Sequence, residues 1–256
     1  MQRTGRNQNG YAGEALDVPR FYREFAAAAQ GNGWMEDVFL HADGIRLVAW
    51  HRASTRRRRR VYISAGIHGD EPAGPLALLK LFVDYRWPDD TELVVCPLLN
   101  PTGASLNRRE NRDGLDLNRQ YLNPRSAEVL AHIGWLKGQG RFDMALCLHE
   151  DWEAQGFYLY ELNPDRLPGI ATKVIESVAT VCPIDLSPLI DGREAEAGII
   201  RPPDDPRLRP EWPEAFYLFT QHTRLSYTFE TPSDFAMSAR TDALATAVST
   251  ALDFGR

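Results

Sequence analysis

The chain is poor in cysteine: three in 256 residues, Cys96, Cys147 and Cys182, with no CxxC pair. Three cysteines cannot all pair, so a disulfide framework and an all-cysteine zinc site are both excluded. Cys96 and Cys147 lie in apolar runs, where core packing is their expected role. Long hydrophobic runs are missing too. Nothing approaches the roughly 18 consecutive apolar residues of a membrane-crossing helix, and the start, MQRTGRNQNGYAGEAL, has no apolar signal-peptide core. A soluble cytoplasmic protein is expected. Positive charge is not in excess: 29 Lys+Arg against 35 Asp+Glu leaves a formal charge of −6. Binding of nucleic acid or anionic lipid over the whole surface is thereby disfavoured.

What is present is an ordinary globular composition, 43% hydrophobic and 25% charged. Helical spacing over 18–30 is followed by two strands around the Ala42-Asp43-Gly44 turn. The five arginines 56–60 read as a solvated turn, having no interleaved aromatics. VYISAGI (61–67) and TELVVCPLL (91–99) predict buried strands on either side of a helix that starts at Pro72. Asn123-Pro124 predicts the start of a helix over 125–138. DMALCLH, FYLYEL and LSYTFE predict further strands, and 165–181 and 238–252 further helices. Residues 183–213, with seven prolines, predict a surface excursion. Apolar strands alternating with helices imply a sheet covered on both faces. The expected fold is one α/β domain over 1–256, three layers (α/β/α) around a mixed central sheet, because the strand at 225–230 fits only a sheet begun much earlier.

The strongest chemical signal is His68-Gly69-Asp70-Glu71, where a strand ends and a helix begins. Open α/β sheets assemble their sites at such ends. Two residues separate His68 from Glu71, so one turn can aim both at a point, and a catalytic zinc takes three protein ligands plus water. His149, ending DMALCLH, is the best third ligand. His41 and His51 belong to the opening hairpin, His132 to a helix, and His222 has no acidic partner at ligand spacing. HxxE alone is a weak motif, since a surface His with a helix-starting Glu spells the same letters.

The polar segment NPTGASLNRRENRDGLDLNRQY supplies the rest. With it the sequence resembles the zinc carboxypeptidase family, particularly small bacterial members such as murein peptide amidases. The ordered elements are His68 and Glu71, Asn100-Pro101-Thr102-Gly103, Arg109-Glu110-Asn111, Gly114-Leu115-Asp116-Leu117-Asn118-Arg119, His149, and Glu230 in TFETPSD. The resemblance implies a carboxypeptidase-like (phosphorylase/hydrolase-like) fold and one zinc per chain, held by His68, Glu71 and His149. Asp116 would orient the His68 ring. Glu230 would be the general base, Arg109 would stabilise the oxyanion, and Asn118 and Arg119 would hold a substrate carboxylate.

The implied activity is hydrolysis of an amide bond beside a free carboxylate, on a small peptide or acylated amino acid. Succinylglutamate desuccinylases and aspartoacylases share HxxE, DxNR, the distal His and the late Glu, so N-acyl amino acid deacylation is the alternative. The full RxNxxGxDLNR spacing looks more like the peptidase branch. A catalytically silent binding protein is the third reading, opposed by retention of every ligand candidate and Glu230. One element departs: the mobile Tyr of the pancreatic type has no residue-by-residue match, with Tyr217 and Tyr227 as candidate substitutes.

Overall fold

In the computed structural model, residues 3–5, 13–56 and 58–254 are described. Most of the amino-terminal stretch read for a signal segment lies outside them, as does Arg57. Among the described residues ten strands form a mixed sheet: β1 (Met35–Ala42), β2 (Ile45–Arg52), β3 (Arg59–Ala65), β4 (Thr91–Cys96), β5 (Met144–Asp151), β6 (Tyr158–Leu162), β7 (Leu189–Ile190), β8 (Arg193–Glu196), β9 (Ile199–Ile200) and β10 (Ser226–Pro232). Their order is β1-β2-β4-β3-β5-β10-β6-β9-β8-β7. The centre, β4-β3-β5-β10, is parallel, with antiparallel neighbours outside it.

Among the described residues seven helices flank it: α1 (Val18–Gln30), α2 (Ala73–Asp84), α3 (Pro101–Leu106), α4 (Ala127–Lys137), α5 (Ala171–Val178), α6 (Glu214–Gln221) and α7 (Met237–Asp253). One face packs on α1, α2, α5 and α7 through residues such as Phe25, Ile63, Leu146, Phe229 and Val248. The opposite face packs on α4 and α6 through Tyr62, Val94, Cys147, Val129 and Leu218. The α/β/α layering and the mixed sheet agree with the sequence reading, and all three cysteines are buried.

Four local expectations need correction. The arginine run is not all solvated turn: Arg59 and Arg60 begin β3, and buried Arg60 pairs with Glu92 at 2.6 Å. The helix expected at 125 starts at Ala127, because the Ser126 side chain accepts the Val129 N–H as its cap. Residues 165–170 are not helical. The Asn163 amide hooks both backbone groups of Leu167, Arg166 takes a left-handed φ of 49°, and Pro168 follows. The proline-rich excursion also contains β7, β8 and β9, which extend the sheet edge.

Candidate metal and active site

Parallel strand ends and close-packed glycines build the site. β3 delivers His68 just beyond Ala65, and the loop then turns into α2. A Cβ on Gly69 would lie 2.0 Å from the Gly103 carbonyl carbon and 2.5 Å from the Arg108 oxygen, so only glycine lets this loop press on the next one. Asn100 caps α3 by accepting the Gly103 N–H at 2.8 Å, and its amide donates to the Arg109 carbonyl at 3.2 Å. Buried Asn111 donates to Glu128 and accepts from the backbone of Asp113 and Leu115 at 3.0 Å each. The NPTG and RxN motifs thus fold the loop that carries Arg109 and Asp116 beside His68.

His68, Glu71 and His149 converge, their ligand atoms within 4.8 Å of one another, and all three are buried. The His68 Nδ1 lies 2.5 Å from Glu71 Oε1 and the His149 Nδ1 2.9 Å from Glu71 Oε2. Two imidazole nitrogens and a carboxylate facing one point suit a borderline-soft divalent ion such as zinc. The His68 Nε2, buried and without a hydrogen bond in the structure, is 3.4 Å from Asp116 Oδ1. Burial penalises the Glu71 carboxylate, yet the two histidines outweigh it and hold its pKa well below the usual range. Burial pushes Asp70 up to about 6, with help from the Glu71 charge.

Arg109 reaches into this cluster. Its Nε donates to Asp116 Oδ2 at 2.9 Å, and its Nη1 stands 3.3 Å from His68 Nδ1 and 3.7 Å from Glu71 Oε1. Asp116 also accepts the Asn118 N–H at 2.9 Å, so it serves the turn and the cluster together. The Asn118 Oδ1 accepts the Glu214 N–H at the start of α6, 2.8 Å, so its side chain keeps only its amide N–H groups to donate. Arg119 is half-exposed and only loosely paired, 3.8 Å from Glu211.

Glu230 pairs in register with His149 on one side and Tyr158 on the other, so these side chains share a face. Burial raises its pKa well above the ordinary value, reinforced by Glu71 and Asp151 and opposed by Arg109. Tyr217 packs in the core beside Tyr121, and Tyr227 turns to the opposite face, where its hydroxyl donates to Glu161 at 3.0 Å. Neither candidate tyrosine stands with Glu230; Tyr158 and Tyr160 do. From sequence, the aromatics of EDWEAQGFYLYE could line a pocket, but the alternation in FYLYE is equally what a sheet strand needs.

Comparison with known proteins agrees with this geometry. The family model described as succinylglutamate desuccinylase/aspartoacylase catalytic domain matches residues 57–166. The carboxypeptidase SOL1 of Arabidopsis thaliana is 33% identical over 104 residues, 32% of this chain and 21% of that protein. The match therefore spans about a fifth of that curated relative. A candidate metallopeptidase of Shewanella amazonensis SB2B superposes with a TM-score of 0.79 at 27% identity, covering 91% of each chain. A metallo-carboxypeptidase of Pseudomonas aeruginosa, solved with (2-guanidinoethylmercapto)succinic acid, shares the fold at a TM-score of 0.69 and 19% identity, covering 92% of this chain and 68% of that one. In these matches and in its fold the chain is similar to zinc carboxypeptidase-like hydrolases. These matches divide, the family model being that of deacylases and the named relatives peptidases.

Proposed function

We propose that the protein is a zinc-dependent hydrolase, one catalytic domain, that cleaves an amide bond next to a free carboxylate. The observation that carries this reading is the convergence of His68, Glu71 and His149 on one point with Glu230 directly across from His149. When bound there, zinc supplies a Lewis acid that polarises the scissile carbonyl and acidifies water. Glu230 takes the proton from the attacking water and passes it to the leaving amine, a task its raised proton affinity suits. Arg109, its Nε anchored on Asp116, turns its remaining N–H groups to the oxygen on which charge develops. Asn118 offers its amide N–H groups, and Arg119 a guanidinium, to the substrate carboxylate.

A second reading, hydrolysis of an N-acyl amino acid, is favoured by the family model over 57–166, the stretch that holds all three ligand candidates. The RxNxxGxDLNR spacing favours the peptidase reading. A turnover panel of C-terminal peptides, γ-glutamyl-diaminopimelate peptides and N-acyl amino acids, with and without chelator, separates the two. In the same assay Glu230→Gln is expected to keep its metal and lose activity by about 10²–10⁴-fold, the usual worth of a general acid/base. Activity within about threefold of wild type removes Glu230 from the role.

A further inference from the structure

The RxN element carries a second residue that no step above uses. Asn111 is fully buried and commits its backbone and its side-chain oxygen to one turn. That oxygen accepts the N–H groups of Asp113 and Leu115, the Asn111 N–H donates to the Leu115 carbonyl, and its own carbonyl accepts the Gly114 N–H, each at 3.0 Å. Gly114 takes the left-handed φ of 74° at the tip. The chain thereby doubles back between Arg109 and Asp116, and the two meet through Arg109 Nε and Asp116 Oδ2 at 2.9 Å. One group of Asn111 leaves the turn. Its amide nitrogen donates to both oxygens of Glu128, at 3.2 and 3.3 Å.

Glu128 is the second residue of α4 and only 2% exposed. Burying a carboxyl group is costly, and the construction of the helix does not call for one here. Ser126 already caps α4 by accepting the Val129 N–H. The approach to the helix is held by buried Gln120, whose side-chain oxygen accepts the Arg125 and Ser126 N–H groups at 3.1 and 3.0 Å. Among the described residues Glu128 forms no ion pair. What it does hold is the amide two residues beyond Arg109. A glutamine at 128 would turn one NH2 group toward another, whereas a carboxyl offers the Asn111 amide two acceptors.

We propose that Glu128 is a positioning residue for Arg109. Through Asn111 it fixes the turn that brings Arg109 onto Asp116, and so aims the remaining guanidinium N–H groups at the oxygen on which charge develops. The inference rests on the hydrolase reading and deepens it, since it brings α4, a helix that carries no group of the site, into the control of turnover. An interaction made only in the transition state lowers kcat and kcat/KM together when it is lost, and a misplacement of about 1 Å can cost about 10²-fold.

The test compares Glu128→Leu, which has no acceptor, with Glu128→Gln, which keeps one acceptor oxygen. On the members of the turnover panel that wild type hydrolyses, Glu128→Leu should lower kcat about 10–100-fold and leave KM within about twofold, because Asn118 and Arg119 still hold the substrate. Glu128→Gln should recover to about threefold below wild type. In an Arg109→Ala background Glu128→Leu should cost less than about twofold, since the residue it serves is gone. A readout free of turnover is the Arg109 Nε–H in NMR spectra of isotopically labelled, zinc-loaded protein, identified by its loss in Arg109→Lys. The Asp116 bond should slow its exchange with solvent in wild type, and in Glu128→Leu exchange should quicken at least about tenfold. A Glu128→Leu protein with wild-type kcat and wild-type Nε–H exchange rejects this inference alone, as does a loss that persists undiminished in Arg109→Ala. Should Glu128→Leu not fold, Glu128→Gln carries the comparison, and its equality with wild type in both readouts overturns the proposal. No wild-type turnover on any member of the panel, with faster Nε–H exchange in the variant, rejects the hydrolase reading and leaves the positioning of Arg109 standing.

Discussion

Glu214 and His132 sit on one buried hydrogen-bond chain, and its direction follows from counting protons. Ser64 donates to Glu214 Oε2 at 2.9 Å and Tyr62 to Oε1 at 2.8 Å. Having spent its only proton, the Tyr62 oxygen must accept from His132 Nε2, 3.0 Å away. His132 Nδ1 then accepts from Tyr121 at 2.7 Å. Burial pushes Glu214 up to about 7 and His132 down to about 3, so both are held neutral in mildly acid solution. Between about pH 4.5 and 7 the folded chain holds the Glu214 proton that the unfolded chain releases, so this group's stabilisation is lost as pH rises. Between about pH 6.5 and 3 the unfolded chain binds a proton that His132 refuses, so that stabilisation is lost as pH falls. The two slopes oppose each other from pH 4.5 to 6.5. Glu214→Gln, which cannot ionise, is therefore expected to gain about 3 kcal/mol on its wild-type parent across that window, at roughly 1.4 kcal/mol per unit. Urea titrations of both proteins at pH 4.5, 5.5 and 6.5 measure the difference. A constant offset would mean that Glu214 does not titrate as its burial requires.

At the scale of elements, the residue beside a ligand candidate holds two elements together. Strand alternation points His149 to the site and Glu150 to the opposite face. There Glu150 Oε1 accepts the Ala73 N–H at 2.6 Å, capping a helix whose own N-cap, Pro72, has no side chain to do so. Its Oε2 accepts from Arg240 of α7 at 2.6 Å, and Arg240 also donates to Glu14 at 3.0 Å. The start of α2, just after Glu71, is thus tied to the strand that carries His149. Arg240→Met should cost about 3–5 kcal/mol in urea unfolding, because a buried carboxylate loses its cation. Adding Glu150→Gln should recover part of that, and strictly additive losses would show that the pair does not act as a unit. Glu150 was visible in the sequence as an acid flanking His149, but a linear string does not say which face a neighbour takes until the strand register is known. Apolar runs with turn or cap residues at their ends made β3, β4, β5, β10, α2 and α7 legible. The hairpin of β7, β8 and β9 was not, because two- to four-residue strands such as Arg193–Glu196 show no apolar pattern and are defined by pairing alone. His68, Glu71 and His149 were readable as a set because strand ends in a parallel sheet meet in space.

For the whole molecule, the candidate site is a junction between distant parts of the chain. His68 and Glu71 follow β3, His149 lies near the end of β5, Asp116 and Arg109 come from the loop after α3, and Glu230 is on β10. An ion held by the first three ties the α2 loop to the central sheet and has no preformed site in the unfolded chain, so its binding adds directly to folding stability. At free zinc about 100-fold above its dissociation constant, the linkage contributes about 2.7 kcal/mol. For a chain of this length that corresponds to a rise in melting temperature of roughly 5–10 °C, at about 2–4 °C per kcal/mol. A chelator should lower the melting temperature of the metal-loaded protein by that amount, and stoichiometric zinc should restore it. His149→Ala should lose most of this response, since two remaining ligands hold the ion weakly. Glu230→Gln should keep it, because Glu230 is assigned to the proton and not to the ion. Calorimetric melts of the three proteins, with chelator and with zinc, give the comparison. An undiminished zinc shift in His149→Ala would move the ion away from His149, and loss of the shift in Glu230→Gln would make Glu230 a ligand.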